Sequence, residues 1–301
     1  MIIGLIAGTS GDSLTIELKK AGYKVALITG KAGEPGESEA DFCLTCDLSQ
    51  HQVIIDYFLE LKVDKVIFGT GHYKAINLLP ELQRNKITTN LEEKTFNLVK
   101  DKIKFKSLID KAGVLTPRYF TFNTKDEVLG NIENIPFPCV VKSSTDLIQP
   151  AKVYSPNRLL ELTQVLESRG SGILVEEFIN GSDCTVAVSN DGNAISDYGV
   201  IYYCKAKEYN LEGFEGANAN FLPQLLEEKI CTLSKELVSL VGIKGLVRVD
   251  YIVQANQIFV LEINAIMVTG YNGSAYPFFE EKNIDIAKIM VDTSLVLIGE
   301  H

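Results

Sequence analysis

Along the first ninety residues two hydrophobic rhythms alternate. Compact apolar runs at Ile2–Ala7, Lys24–Ile28 and Val63–Phe68 are separated by stretches whose apolar residues return every three or four positions, as in Leu14–Ala21. The first rhythm predicts strands buried on both faces and the second predicts helices laid against them, so the region reads as a parallel α/β sheet. Gly22 closes the first helix, and Ser49 is placed to cap a second that runs through Leu61. Gly69-Thr70-Gly71 makes a turn before a helix near Tyr73–Leu82. Asn90, with Glu93 three residues later, has capping-box spacing and predicts a helix through Val99.

The rhythm changes near residue 95. Asp101–Ala112 reads as a helix stopped by Gly113, Arg118–Phe122 and Phe137–Lys142 as strands, and Ser155-Pro156 as a helix start with proline at the first helical position. Strands are predicted at Ile173–Phe178, Asp183–Ser189 and Ala194–Tyr203, the last two flanking the turn Asn190-Asp191-Gly192. Leu225–Val241 is the longest predicted helix, and Leu246–Val253 with Ile258–Asn264 forms a hairpin. An α+β part therefore follows an α/β part. The expected lobes are residues 1–94, a small central lobe at 95–179, and 180–301.

Charge narrows the function. Twenty-nine basic residues against 39 acidic ones leave a net charge of −10, which repels nucleic-acid backbones. A phosphate site in such a body has to be a local basic pocket. The start is apolar but lacks a basic flank and is interrupted by Gly8-Thr9-Ser10-Gly11-Asp12, so it reads as a first strand rather than a leader. No run approaches the roughly 18 apolar residues of a membrane span. Six cysteines are scattered, and only Cys43 and Cys46 are close; on a short strand they face opposite ways, which suits structural thiols of a cytoplasmic protein better than a zinc site.

The second hairpin carries the most chemistry. Arg248 and Asp250 share one face of their strand, and Glu262 and Asn264 share one face of theirs. A loop of odd length brings all four together; an even loop without a bulge separates them. Two carboxylates and an amide oxygen are hard ligands suited to Mg²⁺, and an adjacent arginine would stabilise developing negative charge. The same four residues would also make a structural ion pair on a solvated sheet face. Lys102 opens a helix and Lys142 ends an apolar strand, each a candidate phosphate ligand. Glu176 and Glu177 lie beside an apolar strand that could offer backbone groups to an adenine edge, with Asp183 a few residues beyond.

Taken in order from Asp101 onward, these motifs resemble the ATP-grasp superfamily, most closely its D-alanine–D-alanine ligase branch. The resemblance implies an ATP-grasp fold and a carboxylate–amine ligase acting through an acylphosphate, with ADP and phosphate released. It implies ATP and Mg²⁺ (two ions, Mn²⁺ able to substitute), a small-molecule acid and amine as substrates, and a homodimer built through the first lobe. By the same resemblance Lys102 and Lys142 contact ATP phosphates, Glu176, Glu177, Phe178 and Ile179 meet adenine, and Asp183 holds ribose. Asp250, Glu262 and Asn264 are the metal ligands, Arg248 supports the transition state and Lys207 reaches the terminal phosphate. Ser274, in Ser274-Ala275-Tyr276-Pro277, corresponds to a serine that holds the acceptor carboxylate. Asp12 corresponds to an acid that contacts the first substrate's amino group, and His72 stands where the ligases often carry a histidine.

Two segments depart from that pattern. The loop after Lys142 is glycine-rich in the ligases; here Ser143–Lys152 has no glycine, so hydroxyls of Ser143, Ser144 and Thr145 are the expected substitutes for backbone donors. After Asn264 the usual Pro-Gly turn is replaced by Ala265-Ile266-Met267-Val268-Thr269, which puts D-alanine as the acceptor in doubt. Two other readings remain open: a bicarbonate-activating carboxylase or carbamoyl-phosphate-type enzyme, and a nucleotide-binding protein that has lost catalysis.

Overall fold

A computed structural model describes residues 1–145, 147–202, 222–267 and 275–294. Its first lobe is a five-stranded parallel sheet formed by β1 (Ile2–Ile6), β2 (Lys24–Thr29), β3 (Phe42–Thr45), β4 (Lys65–Phe68) and β5 (Thr88–Thr89) in the order β3-β2-β1-β4-β5. Helices α1 (Gly11–Lys20), α2 (His51–Glu60), α3 (Tyr73–Ile76), α4 (Leu79–Arg84) and α5 (Glu93–Lys100) complete it. The strand order turns outward in both directions from β1 and β4. The loops after these two strands therefore lie together at the carboxyl edge, where open α/β sheets bind ligands.

Local expectations failed at three places for identifiable reasons. Ser49 does not cap α2; its hydroxyl donates to Asp47 Oδ1 at 2.7 Å, and Gln50 takes the cap position. Asn90 is not a cap either. Its buried amide accepts from Phe68 N–H at 2.8 Å and donates to Phe68 O at 3.2 Å, closing the end of β4. The helix expected near Tyr73–Leu82 is split into α3 and α4, with Pro80 in the first turn of α4, where its missing N–H costs nothing.

Gly11 shows how tightly the loop after β1 is set. A Cβ there would lie 2.0 Å from Pro35 O, and one on Gly36 would lie 2.5 Å from Gly11 O. Gly11→Ala is expected to destabilise the chain by about 1–3 kcal/mol, since two backbones must part. Urea unfolding that shows no loss would contradict this contact.

After α6 (Lys102–Lys111), the strands β6 (Tyr119–Phe122), β7 (Cys139–Ser143), β8 (Ala151–Val153) and β9 (Ile173–Glu177) form an antiparallel sheet in the order β6-β9-β7-β8, packed on α7 (Lys125–Gly130) and α8 (Pro156–Ser168). This sheet has its own apolar core, including Phe122, Val141, Leu159, Leu166 and Val175. The last sheet, β11-β10-β12-β13, comprises β10 (Ser182–Asn190), β11 (Ile195–Tyr202), β12 (Gly245–Gln254) and β13 (Gln257–Asn264), with α9 (Gln224–Val241) against it and α10 (Tyr276–Glu281) and α11 (Ile286–Asp292) following. Its core is continuous with that of the first lobe: Phe58, Phe68, Phe105, Leu237, Val249 and Tyr251 belong to one cluster. The first lobe and last sheet are thus joined by packing, whereas the central sheet is filled separately.

Candidate active site

The β12–β13 hairpin closes through Ala255-Asn256, both at positive φ (48° and 68°), the conformation of a tight two-residue turn. That is the even loop expected to separate the four polar residues. A β-bulge corrects it: Tyr251 pairs with Val260, but Asp250 pairs with Glu262 and Arg248 with Asn264, leaving Leu261 as the extra residue. From the bulge onward the pleat of β13 is shifted by one position. All four side chains consequently share a face.

Their contacts form one cluster. Arg248 grips Asp250 with Nε 2.9 Å from Oδ1 and Nη2 3.0 Å from Oδ2. Asn264 Nδ2 donates to Asp250 Oδ2 at 2.9 Å and lies 3.4 Å from Glu262 Oε1. Thr185, on β10 directly opposite Asp250, places its hydroxyl 2.6 Å from Asp250 Oδ1. Burial pushes the Asp250 carboxyl above its ordinary value; Arg248 opposes this and the charge of Glu262 adds to it. Glu262 goes the other way. Burial would raise it, but Lys102, Lys142 and Arg248 outweigh burial and hold it at about 2.

Thr185 was not singled out in the sequence because it looks like one more β-branched strand residue. Its hydroxyl lies between Asp250 Oδ1 and Val249 O, at 2.6 and 2.8 Å, and so ties the carboxylate to the neighbouring strand. Thr185→Val keeps the shape and removes the bond, so ATP turnover is expected to fall about tenfold, the worth of one hydrogen bond to a charged group. Wild-type turnover in that variant would remove Thr185 from the account.

Above this face stand three lysines. Asp101 caps α6 by accepting from Ile103 N–H and Lys104 N–H at 3.1 and 3.2 Å, which aims the first turn at β13. Lys102 Nζ then lies 2.7 Å from Glu262 Oε2. Lys142, on β7, lies 2.6 Å from Glu176 Oε2. Lys106, one turn beyond Lys102 on α6, was missed: it is 1% exposed and lies 2.8 Å from Glu176 Oε1. With Arg248, four cations face the three carboxylates of Glu176, Asp250 and Glu262, the local basic excess an acidic chain requires.

The segment after β9 is partly committed. The Glu176 carboxylate is taken by its two lysines, and its backbone lies inside β9 between Tyr119 of β6 and Val140 of β7, so Glu176 is committed to the sheet and the lysines and not to a base. Glu177 accepts from Arg118 N–H at 2.8 Å, and Phe178 N–H donates to Pro138 O at 3.2 Å. Ile179 packs with Ile252, Phe259 and Leu261 into a small apolar cluster. Ile252 is two residues from Asp250, so the face of β12 is apolar toward Ile179 and charged beyond it. Asp183 pairs with Ile252 at the apolar end.

The glycine-free loop differs from expectation. Ser143 is buried, and its hydroxyl accepts from Leu147 N–H at 2.7 Å and Ile148 N–H at 3.3 Å, so it shapes the loop instead of facing a ligand. Ser144 Oγ lies 3.5 Å from Ser171 Oγ. The ammonium of Lys152 sits 3.5 Å from the centre of the Phe178 ring. In the first lobe, Asp12 accepts from Ser13 N–H at 2.6 Å near the start of α1, and His72 caps α3 through Lys74 N–H at 3.3 Å. Gly71 lies beside Ile266, so the loop after β4 meets the chain just past Asn264. Lys207 and Ser274 lie outside the described residues.

The family model described as D-ala D-ala ligase C-terminus matches residues 108–291, more than half of the chain. The chain belongs to the ATP-grasp superfamily. Solved ATP-grasp structures overlay most of it. An L-amino acid ligase from Bacillus licheniformis aligns over 99% of this chain and 77% of its own, with a TM-score of 0.77 and 18% identity. A D-alanine–D-alanine ligase from Bacillus anthracis, complexed with ATP, aligns over 97% of both chains with a TM-score of 0.73 and 17% identity. An N5-carboxyaminoimidazole synthetase from Staphylococcus aureus, complexed with ADP, aligns over 97% of this chain and 76% of its own with a TM-score of 0.78 and 16% identity. Among curated proteins, the carbamoyl phosphate synthase large chain of Clostridium acetobutylicum is 23% identical and the C-terminal section of that of Aquifex aeolicus is 24% identical, each over 82% of this chain. The ATP-grasp chain spans only 24% and 48% of those two proteins.

ATP-grasp ligases use ATP and Mg²⁺. The chemistry of the donor set fits that ion: Asp250 and Glu262 would supply carboxylate oxygens and Asn264 an amide oxygen, gathered within hydrogen-bond distance of one another. Among the described residues no cluster of three His, Cys, Asp or Glu could hold a metal. A two-carboxylate site completed by substrate phosphates is the kind Mg²⁺ takes. No helix among the described residues is long and apolar enough to cross a membrane.

Proposed function

We propose that this chain is an ATP-dependent carboxylate–amine ligase that activates its acid as an acylphosphate. The observation that carries the reading is the bulged hairpin, which gathers Arg248, Asp250, Glu262 and Asn264 on one face beneath Lys102 and Lys142. The apolar end of that face, with Ile179, Ile252 and Phe259, suits adenine, and Asp183 beside it suits ribose. Mg²⁺ held by Asp250, Glu262 and Asn264 would neutralise phosphate charge. A substrate carboxylate oxygen attacks the γ-phosphorus, the bond to the β-phosphate oxygen breaks, and ADP leaves with that electron pair. The amine nitrogen then attacks the acyl carbon and loses a proton as phosphate departs, while Arg248 stabilises the tetrahedral oxyanion.

The acid is assigned to the edge between the first lobe and the hairpin, where Gly71 meets Ile266. Asp12 is the proposed partner for an ammonium there, Ser274 for an acceptor carboxylate and Lys207 for the terminal phosphate. Acylphosphates hydrolyse, so water has to be excluded. The separate core of the central sheet suits a lobe that closes over the nucleotide.

The test is ADP release with pooled carboxylic and amino acids, with hydroxylamine present to trap acylphosphate. Stimulation by an acid and amine together, with trapped hydroxamate, supports the ligase. Bicarbonate-stimulated ADP release without amine would select the second reading, which the carbamoyl phosphate synthase relatives favour. Against that reading, Ala265-Ile266-Met267 has no arginine to anchor a small anion. Binding of Mg·ATP without turnover under any substrate would select a protein that has lost catalysis.

A further inference from the structure

Lys142 is set against the phosphates in the reading above, yet its ammonium lies 2.6 Å from a buried carboxylate oxygen of Glu176. A pair that close cancels much of the charge a phosphate would meet. Lys106 changes the balance, because its ammonium lies 2.8 Å from the other oxygen of the same carboxylate. Two cations therefore share one anion. At 1% exposure Lys106 cannot itself reach a nucleotide. It also donates to Val260 O at 3.2 Å and to the Thr116 hydroxyl, so it is anchored to β13 two residues from Glu262.

We propose that Lys106 is a positioning residue for the nucleotide site: it balances the charge of Glu176, so that Glu176 can hold Lys142 in place while the trio keeps one net positive charge for phosphate. A lysine so deeply buried is costly, and burial pulls its ammonium down to about 8 despite Glu176. Glu176 in turn feels burial pushing it up, but Lys106 and Lys142 outweigh that and keep it ionised. A packing role alone would be served better by an apolar side chain. The arrangement makes sense as a means of keeping a lysine both fixed and charged.

This inference rests on Lys142 facing phosphate, and the experiment separates the two. Calorimetric titration of the full chain with Mg²⁺ and a non-hydrolysable ATP analogue would compare Lys142→Met, Lys106→Met and Lys106→Met/Glu176→Gln. Lys142→Met is expected to weaken binding about tenfold or more, the cost of one charge-assisted contact. Lys106→Met is expected to weaken it similarly, because Glu176 then neutralises Lys142. The double variant restores the balance and is expected to recover to within about threefold of wild type, a rescue that a packing role would not produce. A double variant as weak as Lys106→Met, or a Lys106→Met that binds like wild type, overturns the inference alone. Wild-type binding by Lys142→Met overturns the phosphate role of Lys142 as well. Should Lys106→Met fail to fold because Oε1 of the buried Glu176 has lost its cation, the double variant carries no such charge and decides the matter: affinity near wild type supports the inference, and affinity near Lys142→Met overturns it.

Discussion

Glu262→Gln is expected to lower ATP turnover by about a thousandfold or more while leaving the fold intact. Glutamine has nearly the same shape, and its carbonyl oxygen still accepts from Lys102, whose ammonium lies 2.7 Å from Glu262 Oε2. What disappears is the negative charge that pairs with Asp250 to attract a divalent ion. The substitution also frees Lys102 from a full ion pair, so nucleotide binding should survive better than turnover. ADP release measured beside circular dichroism separates the two effects. Turnover within tenfold of wild type, in a folded variant, would remove Glu262 from the chemistry.

Deletion of Val260 and Leu261 together is expected to abolish both Mg·ATP binding and turnover. Without both residues, the two-residue turn would carry the register Ile252↔Phe259 on to Tyr251↔Glu262, and Glu262 and Asn264 would point to the face that Val260 and Ile263 hold in the intact chain. A carboxylate would then be driven into the shared core of the first lobe and the last sheet. An unpaired buried charge costs about 3–5 kcal/mol, so the deletion should also lower thermal stability sharply. By contrast, deletion of Leu261 alone leaves a regular ladder in which Tyr251↔Val260 is followed by Asp250↔Glu262, and most activity is expected to remain. A double deletion that still binds Mg·ATP at wild-type affinity would show that the strand register is not what assembles the site.

The contrast between these two variants marks where sequence reading stops. Period-two patterning was enough to put Arg248 with Asp250 and Glu262 with Asn264. It could not decide whether the pairs meet, because that depends on the Ala255-Asn256 turn and on a bulge that no residue preference announces. Strands β1, β2, β4 and the hairpin were legible because apolar runs with glycine or turn residues at their ends have few other uses. Short elements such as β8, α7 and α10 were not, since each rests on neighbours distant in sequence. Lys106 stayed hidden for a related reason. A lysine on a helix is ordinarily a solvated charge, and only Glu176, supplied by another element, makes its burial tolerable. Asn90 and Ser143 show the converse: both carry local signals for a cap or a ligand contact, and both are used to close backbone groups instead.

The account as a whole turns on a divalent ion bridging the hairpin and the nucleotide. The most direct measurement is the affinity of the full chain for ATP analogue, titrated with Mg²⁺ present and again with EDTA, in wild type and in Glu262→Gln. Wild type should bind at least about tenfold more tightly with Mg²⁺, and Glu262→Gln should lose most of that difference. Equal affinity with and without the ion in both proteins would contradict the assignment of Asp250, Glu262 and Asn264.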